Sequence, residues 1–267
     1  MKKLVSVTLA LILALALLTA SAEGVLKVGM ECDYVPFNWL QVEENEYTAP
    51  VVSGGYADGF DVQIAKIIAD GLDMELQVVQ SEFDSLPLGV NAGAFDMIIA
   101  GMTPTEARKL TVDFSDAYYI SDVVIIVRKD GDFANATSLA DFSGAKLTGQ
   151  RATVHYDMLN EVPDAKVMQS METFPEMTVA LQAGAIDGYI AERPTALAVT
   201  TTNEDLAFIT FEEGSGFSAT AAELSVAVGL QKGSELTERV NEILAGITLE
   251  QRDQIMLDSI NRTPVSE

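Results

Sequence analysis

From residue 26 onward, short β-rich runs alternate with stretches of helical periodicity, and no other feature restricts the fold as far: such alternation specifies an α/β architecture. The run 26–30 reads as a strand that ends in a polar and aromatic loop, 31–39. Within 62–72, Ile64, Ile67 and Ile68 fall at helical spacing, and 76–79 returns as a strand. A second helix is expected over 83–92 and a buried strand over 96–100. After an apolar strand at 123–128 and a polar stretch, 129–144, the pattern recurs: strand 146–148, helix around 156–159, strand 166–168, helix 174–183, strand 188–191. A Gly/Ser/Ala-rich passage, 213–222, precedes a last strand, 224–230, and two C-terminal helices. The same βαβ grammar is used twice, without a short tandem repeat or a low-complexity linker. Open α/β sheets bind ligands beyond the C-terminal ends of their strands, so function is expected in those loops.

The chain's 267 residues, 48% of them hydrophobic, can bury a large core in two domains or one large one. Residues 1–22 read as a secretory signal: Lys2 and Lys3 supply the positive start, 4–18 is apolar or small, and Ala20-Ser21-Ala22 gives a small-x-small cleavage pattern. The mature chain is expected to begin at Glu23, and no later stretch has the roughly 18 uninterrupted apolar residues of a membrane span. The one cysteine, Cys32, lies inside the mature chain, so neither an internal disulfide nor lipid attachment at the end of the signal is expected. A freely diffusing periplasmic protein fits these features. Loss of the signal leaves 14 basic against 40 acidic residues, a formal charge of -26, which repels nucleic acid and anionic lipid.

The run Ala100-Gly101-Met102-Thr103-Pro104-Thr105-Glu106-Ala107-Arg108 places backbone acceptors, hydroxyls and one guanidinium directly after a strand. An ammonium needs acceptors and a carboxylate accepts a two-pronged hydrogen bond, so the Gly101 carbonyl and the Thr103 hydroxyl can take the first and Arg108 the second. The same residues also describe a capped helix, with Thr105 as the cap and Arg108 solvated in its first turn. No nucleophile elbow, phosphate loop or zinc motif is present, and the single histidine, His155, has no neighbouring cysteine to make a metal signature. No catalytic residue, metal or cofactor is expected.

Five motifs occur in order: Val28-Gly29 through Tyr34-Val35-Pro36-Phe37; Gly59-Phe60-Asp61-Val62; Gly93-Ala94-Phe95-Asp96-Met97-Ile98-Ile99-Ala100-Gly101; Arg108 through Tyr118-Tyr119; and Ala185-Ile186-Asp187-Gly188-Tyr189. In this order they resemble the bacterial extracellular solute-binding proteins of the polar amino-acid uptake family, family 3, the periplasmic components of ABC importers. The resemblance implies a two-lobed periplasmic-binding-protein fold (type II): two α/β lobes joined by two crossover strands, with the ligand in the cleft between them. It puts lobe 1 at 23–117 and 227–267, lobe 2 at 123–221, and the crossovers at 118–122 and 222–226. It further implies that Arg108 pairs with the ligand carboxylate, while Gly101 and Thr103 accept from its ammonium. In lobe 2 the turn Gln150-Arg151-Ala152-Thr153 stands where the family usually has a Gly-Thr or Gly-Ser turn, and Ala152 would be strained if the turn needs positive φ. Glu192 aligns with the lobe 2 acid, usually aspartate, that meets the ammonium; the bland alternative is an exposed acid paired with Arg193.

By the same resemblance Tyr34 and Phe60 put aromatic rings around the ligand side chain, and Glu31 reads its distal end. Together they lean towards a cationic or polar amino acid such as arginine, lysine or glutamine. Ordinary core packing is the alternative for both rings and a solvated strand end for Glu31. Arg151 or His155 facing the cleft would change the specificity. The resemblance implies an amino-acid ligand, a membrane permease as partner and a monomeric receptor without catalytic activity, delivering its ligand after hinged closure. Two other readings use the same fold: a secreted cyclohexadienyl or arogenate dehydratase with Glu192 or Glu31 as general acid, and a ligand-sensing receptor subunit.

Overall fold

Two five-stranded sheets with the same topology carry the chain in this computed structural model, which describes residues 24–264; the expected signal at 1–22 lies outside the described residues. The first sheet contains β1 (Val25–Met30), β6 (Glu75–Gln80), β7 (Met97–Ile98), β8 (Val112–Ile120) and β14 (Ser225–Gln231) in the order β6-β1-β7-β14-β8. The second contains β9 (Val123–Arg128), β10 (Lys146–Thr148), β11 (Lys166–Val167), β12 (Gly188–Glu192) and β13 (Leu206–Ile209) in the order β11-β10-β12-β9-β13. In each, three neighbouring strands run parallel and two more add antiparallel. The chain passes from the first sheet to the second between β8 and β9, and returns after β13 to place β14 between β7 and β8.

Local chemistry explains the elements. β9 and β12 are nearly continuous buried apolar runs, as expected for central strands covered on both faces. Helix α1 (Phe60–Leu72) buries Val62, Ile64, Ala65, Ile68 and Ala69 along one stripe and stops at Asp73, whose left-handed backbone turns its N–H back to the last carbonyls. Gly59 precedes it at φ 129, where a Cβ would stand 2.3 Å from the Phe37 carbonyl oxygen, so only glycine lets the two backbones meet. Helices α2 (Leu86–Asn91), α3 (Glu106–Lys109), α4 (Val154–Met158), α5 (Phe174–Gln182), α6 (Arg193–Thr202), α7 (Leu236–Ala245) and α8 (Leu249–Arg262) complete the layers. A capping box of Thr173 and Glu176, with Pro175 in the first turn, starts α5, and Thr248 with Gln251 does the same for α8.

Several elements differ from the sequence reading. The expected helix over 83–92 is a 3-10 turn, Phe83–Ser85, followed by α2, because Pro87 fits only the first turn of the new helix. A four-stranded antiparallel sheet of β2 (Asp33–Tyr34), β3 (Asn38–Gln41), β4 (Ala49–Pro50) and β5 (Tyr56–Asp58) was not foreseen, nor were α6 and β13. Strands of two to four residues are too short to show a period. Among the described residues no helix is long and apolar enough to cross a membrane.

Candidate functional site

The loops that follow β1, β6 and β7 in one lobe face those that follow β10, β11 and β12 in the other, and side chains meet across the gap. Sequence logic places them there, since all six follow the C-terminal ends of parallel strands.

The first lobe's share is braced from behind. Asp61, wholly buried at the start of α1, accepts from the Tyr118 hydroxyl at 2.7 Å and from the Asn38 amide at 2.8 Å. Tyr118 in turn accepts the Gly101 backbone N–H at 3.0 Å, and Asn38 accepts the Cys32 N–H at 2.6 Å. One buried carboxyl thus fixes both the loop after β1 and the loop after β7. Burial raises the Asp61 pKa to about 7 although the bonds from Tyr118 and Asn38 oppose it. Gly101 adopts φ 57, and a Cβ there would lie 2.6 Å from Tyr34 Cε1, so the ring and the turn exclude any other residue.

The helix cap offered by the sequence is present, but Arg108 is not solvated in its first turn. Thr105 caps α3 by accepting the Arg108 N–H at 3.2 Å, while the guanidinium turns inward and donates to the Thr103 carbonyl at 2.7 Å and, across the cleft, to the Ala152 carbonyl at 2.8 Å. Its carbon lies 5.2 Å from the Phe83 ring centroid. Burial lowers its pKa to about 10, and among the described residues no carboxylate forms an ion pair with it.

In the second lobe Ala152 has φ 60, the left-handed region in which alanine is strained. Thr153 is the N-cap of α4, accepting the Tyr156 N–H and donating to the Gln150 carbonyl at 2.7 Å, so its hydroxyl is engaged by its own turn. Gln150 reaches over the gap to Glu31 Oε1 at 2.8 Å and back to the Glu172 carbonyl at 2.9 Å. Arg151 stands on the rim and pairs with Asp84 at 2.9 Å and Glu172 at 3.0 Å, which offsets its charge.

Glu192 ends β12 and is buried. One carboxylate oxygen accepts from the Tyr34 hydroxyl in a short contact, and the other lies 3.4 Å from His155 Nε2. Arg193 pairs instead with Asp122 at 3.4 Å. The Tyr34 ring is stacked between Phe37, 4.7 Å away, and Phe174 of the second lobe, 4.6 Å away. Phe60 is not the second ring beside Tyr34: it is wholly buried and meets Phe37 and Tyr119 edge-on in the core, because Phe37 stands between it and Tyr34.

At the other end of the group a cavity of 290 Å³ is lined by Glu31, Asp33, Glu82, Asp84, Glu172 and Arg151, with Phe83 on its wall. Burial pushes the Glu31 pKa up to about 7; the Gln150 hydrogen bond opposes this and the nearby Asp33 and Glu192 charges add to it. Its Oε2 has no hydrogen-bond partner among the described residues. The structure therefore assembles Glu31, Tyr34, Gly101, Thr103, Arg108, Gln150, Thr153 and Glu192 about one cleft. Asp61 and Phe174 were not singled out as site residues. An acid inside an apolar helical face was the sequence signal for the first. Nothing local marked the second, because its partner lies 140 residues away.

The profile of the bacterial extracellular solute-binding proteins, family 3, matches residues 26–257. The arginine-binding extracellular protein ArtP of Bacillus subtilis is 27% identical over 226 residues, 84% of this chain and 81% of that protein. A probable histidine-binding protein of Campylobacter jejuni is 30% identical over 195 residues, 72% of this chain and 70% of that one. Among solved structures, an amino acid ABC transporter substrate-binding protein of Streptococcus pneumoniae bound to L-arginine superposes with a TM-score of 0.76 at 27% identity, covering 90% of this chain and 95% of that one.

Proposed function

The chain belongs to the bacterial extracellular solute-binding proteins, family 3, and from that premise we propose that it is the receptor of an amino-acid ABC importer, capturing one free amino acid with a cationic side chain. The observation that carries this reading is the opposition of Arg108, a half-buried guanidinium with carbonyl partners, to Glu192, a buried carboxylate of the other lobe. Arg108 takes the ligand carboxylate, Gly101, Thr103 and Glu192 take its ammonium, and the side chain extends to Glu31 in the acid-lined cavity. Five carboxylates against one guanidinium at that end favour a guanidinium or a second ammonium over an anion. A ligand gripped by both lobes favours the closed state through its own differential contacts.

The hinges fall at 118–122 and 222–226, dividing lobe 1 (23–117 and 227–267) from lobe 2 (123–221). The protein acts in the periplasm as a monomer, hands its ligand to a membrane permease and catalyses no reaction. At Glu192 the setting supports binding over dehydration, since a general acid there needs an apolar setting and Glu192 faces a hydroxyl and an imidazole instead. A thermal-shift screen of the common amino acids tests the proposal: a ligand at 100 times its Kd adds about 2.7 kcal/mol of stability. Arginine or lysine should give the largest shift, and a screen in which no amino acid shifts the transition overturns the reading.

A further inference from the structure

His155 has no part in the head-group contacts above, yet it is as buried as the carboxylate beside it: its side chain is 7% exposed and that of Glu192 8%. Glu192 has three side-chain torsions to fix and gives α6 no side-chain cap. Among the described residues it accepts from Tyr34, of the opposite lobe, and its other oxygen lies 3.4 Å from His155 Nε2, of its own. When the lobes part, Tyr34 leaves with the first lobe. The imidazole remains, because it sits in the first turn of α4, a helix anchored by Thr153 and packed against β12.

Resting on the amino-acid-binding reading, we infer that His155 is a positioning residue: it holds the Glu192 carboxylate aimed into the cleft so that the ligand ammonium meets an ordered acceptor. A buried carboxylate without a partner is costly, and one that must be ordered on binding loses affinity. The Nδ1 atom of His155 is buried without a hydrogen-bond partner among the described residues, and Nε2 is the ring atom that faces a charged group, Glu192 at 3.4 Å. Selectivity for an α-amino group then depends on a residue that itself need not touch the ligand.

Two measurements test this on the mature protein. In the ligand-free state, thermal unfolding of the wild type, His155→Leu, Glu192→Gln and the double variant should show coupling between the two positions, the double variant losing less than the sum of the single ones. Calorimetry is then run with L-arginine and with 5-guanidinopentanoate, which lacks only the α-ammonium. His155→Leu should weaken L-arginine binding about tenfold, leave the deaminated analogue within about twofold, and add nothing once Glu192→Gln is present. His155→Gln, which keeps a donor, should recover most of the loss. Additive unfolding effects, equal losses for both ligands, or tighter L-arginine binding by His155→Leu overturn the inference. Failure of the wild type to bind L-arginine counts against the cationic-ligand reading alone, because the unfolding cycle still decides the pairing.

Discussion

The two lobes repeat one sheet topology but build their halves of the cleft by opposite means. The first lobe's half is braced: the Gly101 turn and the loop after β1 are held from behind by the buried Asp61, Tyr118 and Asn38. The second lobe's half reaches forward, Gln150 and Arg151 from a turn strained at Ala152 and Glu192 from the end of β12. When the cleft opens, the Asp61 brace stays whole because all its partners lie in the first lobe, whereas Gln150, Arg151 and Glu192 each lose a first-lobe partner, Glu31, Asp84 and Tyr34. The proposed function therefore assigns docking to the first lobe and the response to the second.

The largest effect should come from the docking side. Arg108→Ala removes the guanidinium proposed to take the ligand carboxylate, and breaking a buried charge pair costs about 3 to 5 kcal/mol, so calorimetry should show binding weakened by two orders of magnitude or more. Affinity that survives this change would break the assignment of docking to the first lobe.

A second, smaller effect concerns the brace and pH. Asp61 and Glu31 titrate at about 7 in the folded protein, above their ordinary values of 3.8 and 4.5. Through that window the folded state keeps protons that the unfolded chain has lost, so stability falls as pH rises from the lower values to about 7 and levels off beyond. Thermal unfolding should occur at a higher temperature at pH 5.5 than at pH 8, and Glu31→Gln should flatten the difference. A transition that climbs steadily between those pH values would contradict the burial of these acids.

The smallest effect belongs to the responsive turn. Ala152→Gly relieves a left-handed alanine at a cost of about 1 kcal/mol but adds freedom to the unfolded chain, so net stability should change by less than about 1 kcal/mol. L-arginine affinity should stay within about twofold, because Ala152 contributes a carbonyl and not its side chain. A large loss of affinity would show that the methyl group, not only the backbone, shapes the closed cleft.

How much of this was legible follows the distance over which each interaction acts. The strand at 123–128 stands as the sequence indicated, since a buried apolar run is a local signal. Arg108 was readable as a candidate because its neighbours in sequence, Thr103 and Thr105, are also its neighbours in space. Phe60 and Phe37 look alike in sequence; which of them stacks on Tyr34 is set by how α1 packs.

The sequence by itself determined the double βαβ plan, the strand ends at which function gathers and the residue types brought there, because periodicity and turn chemistry act over a few residues. Only the tertiary structure decided that Gln150 meets Glu31, that Tyr34 and His155 share Glu192, and that Phe174 covers Tyr34. The first, Tyr34–Glu192 and Phe174 contacts join residues more than 100 positions apart, and such pairings are chosen only when the loops of the two lobes meet.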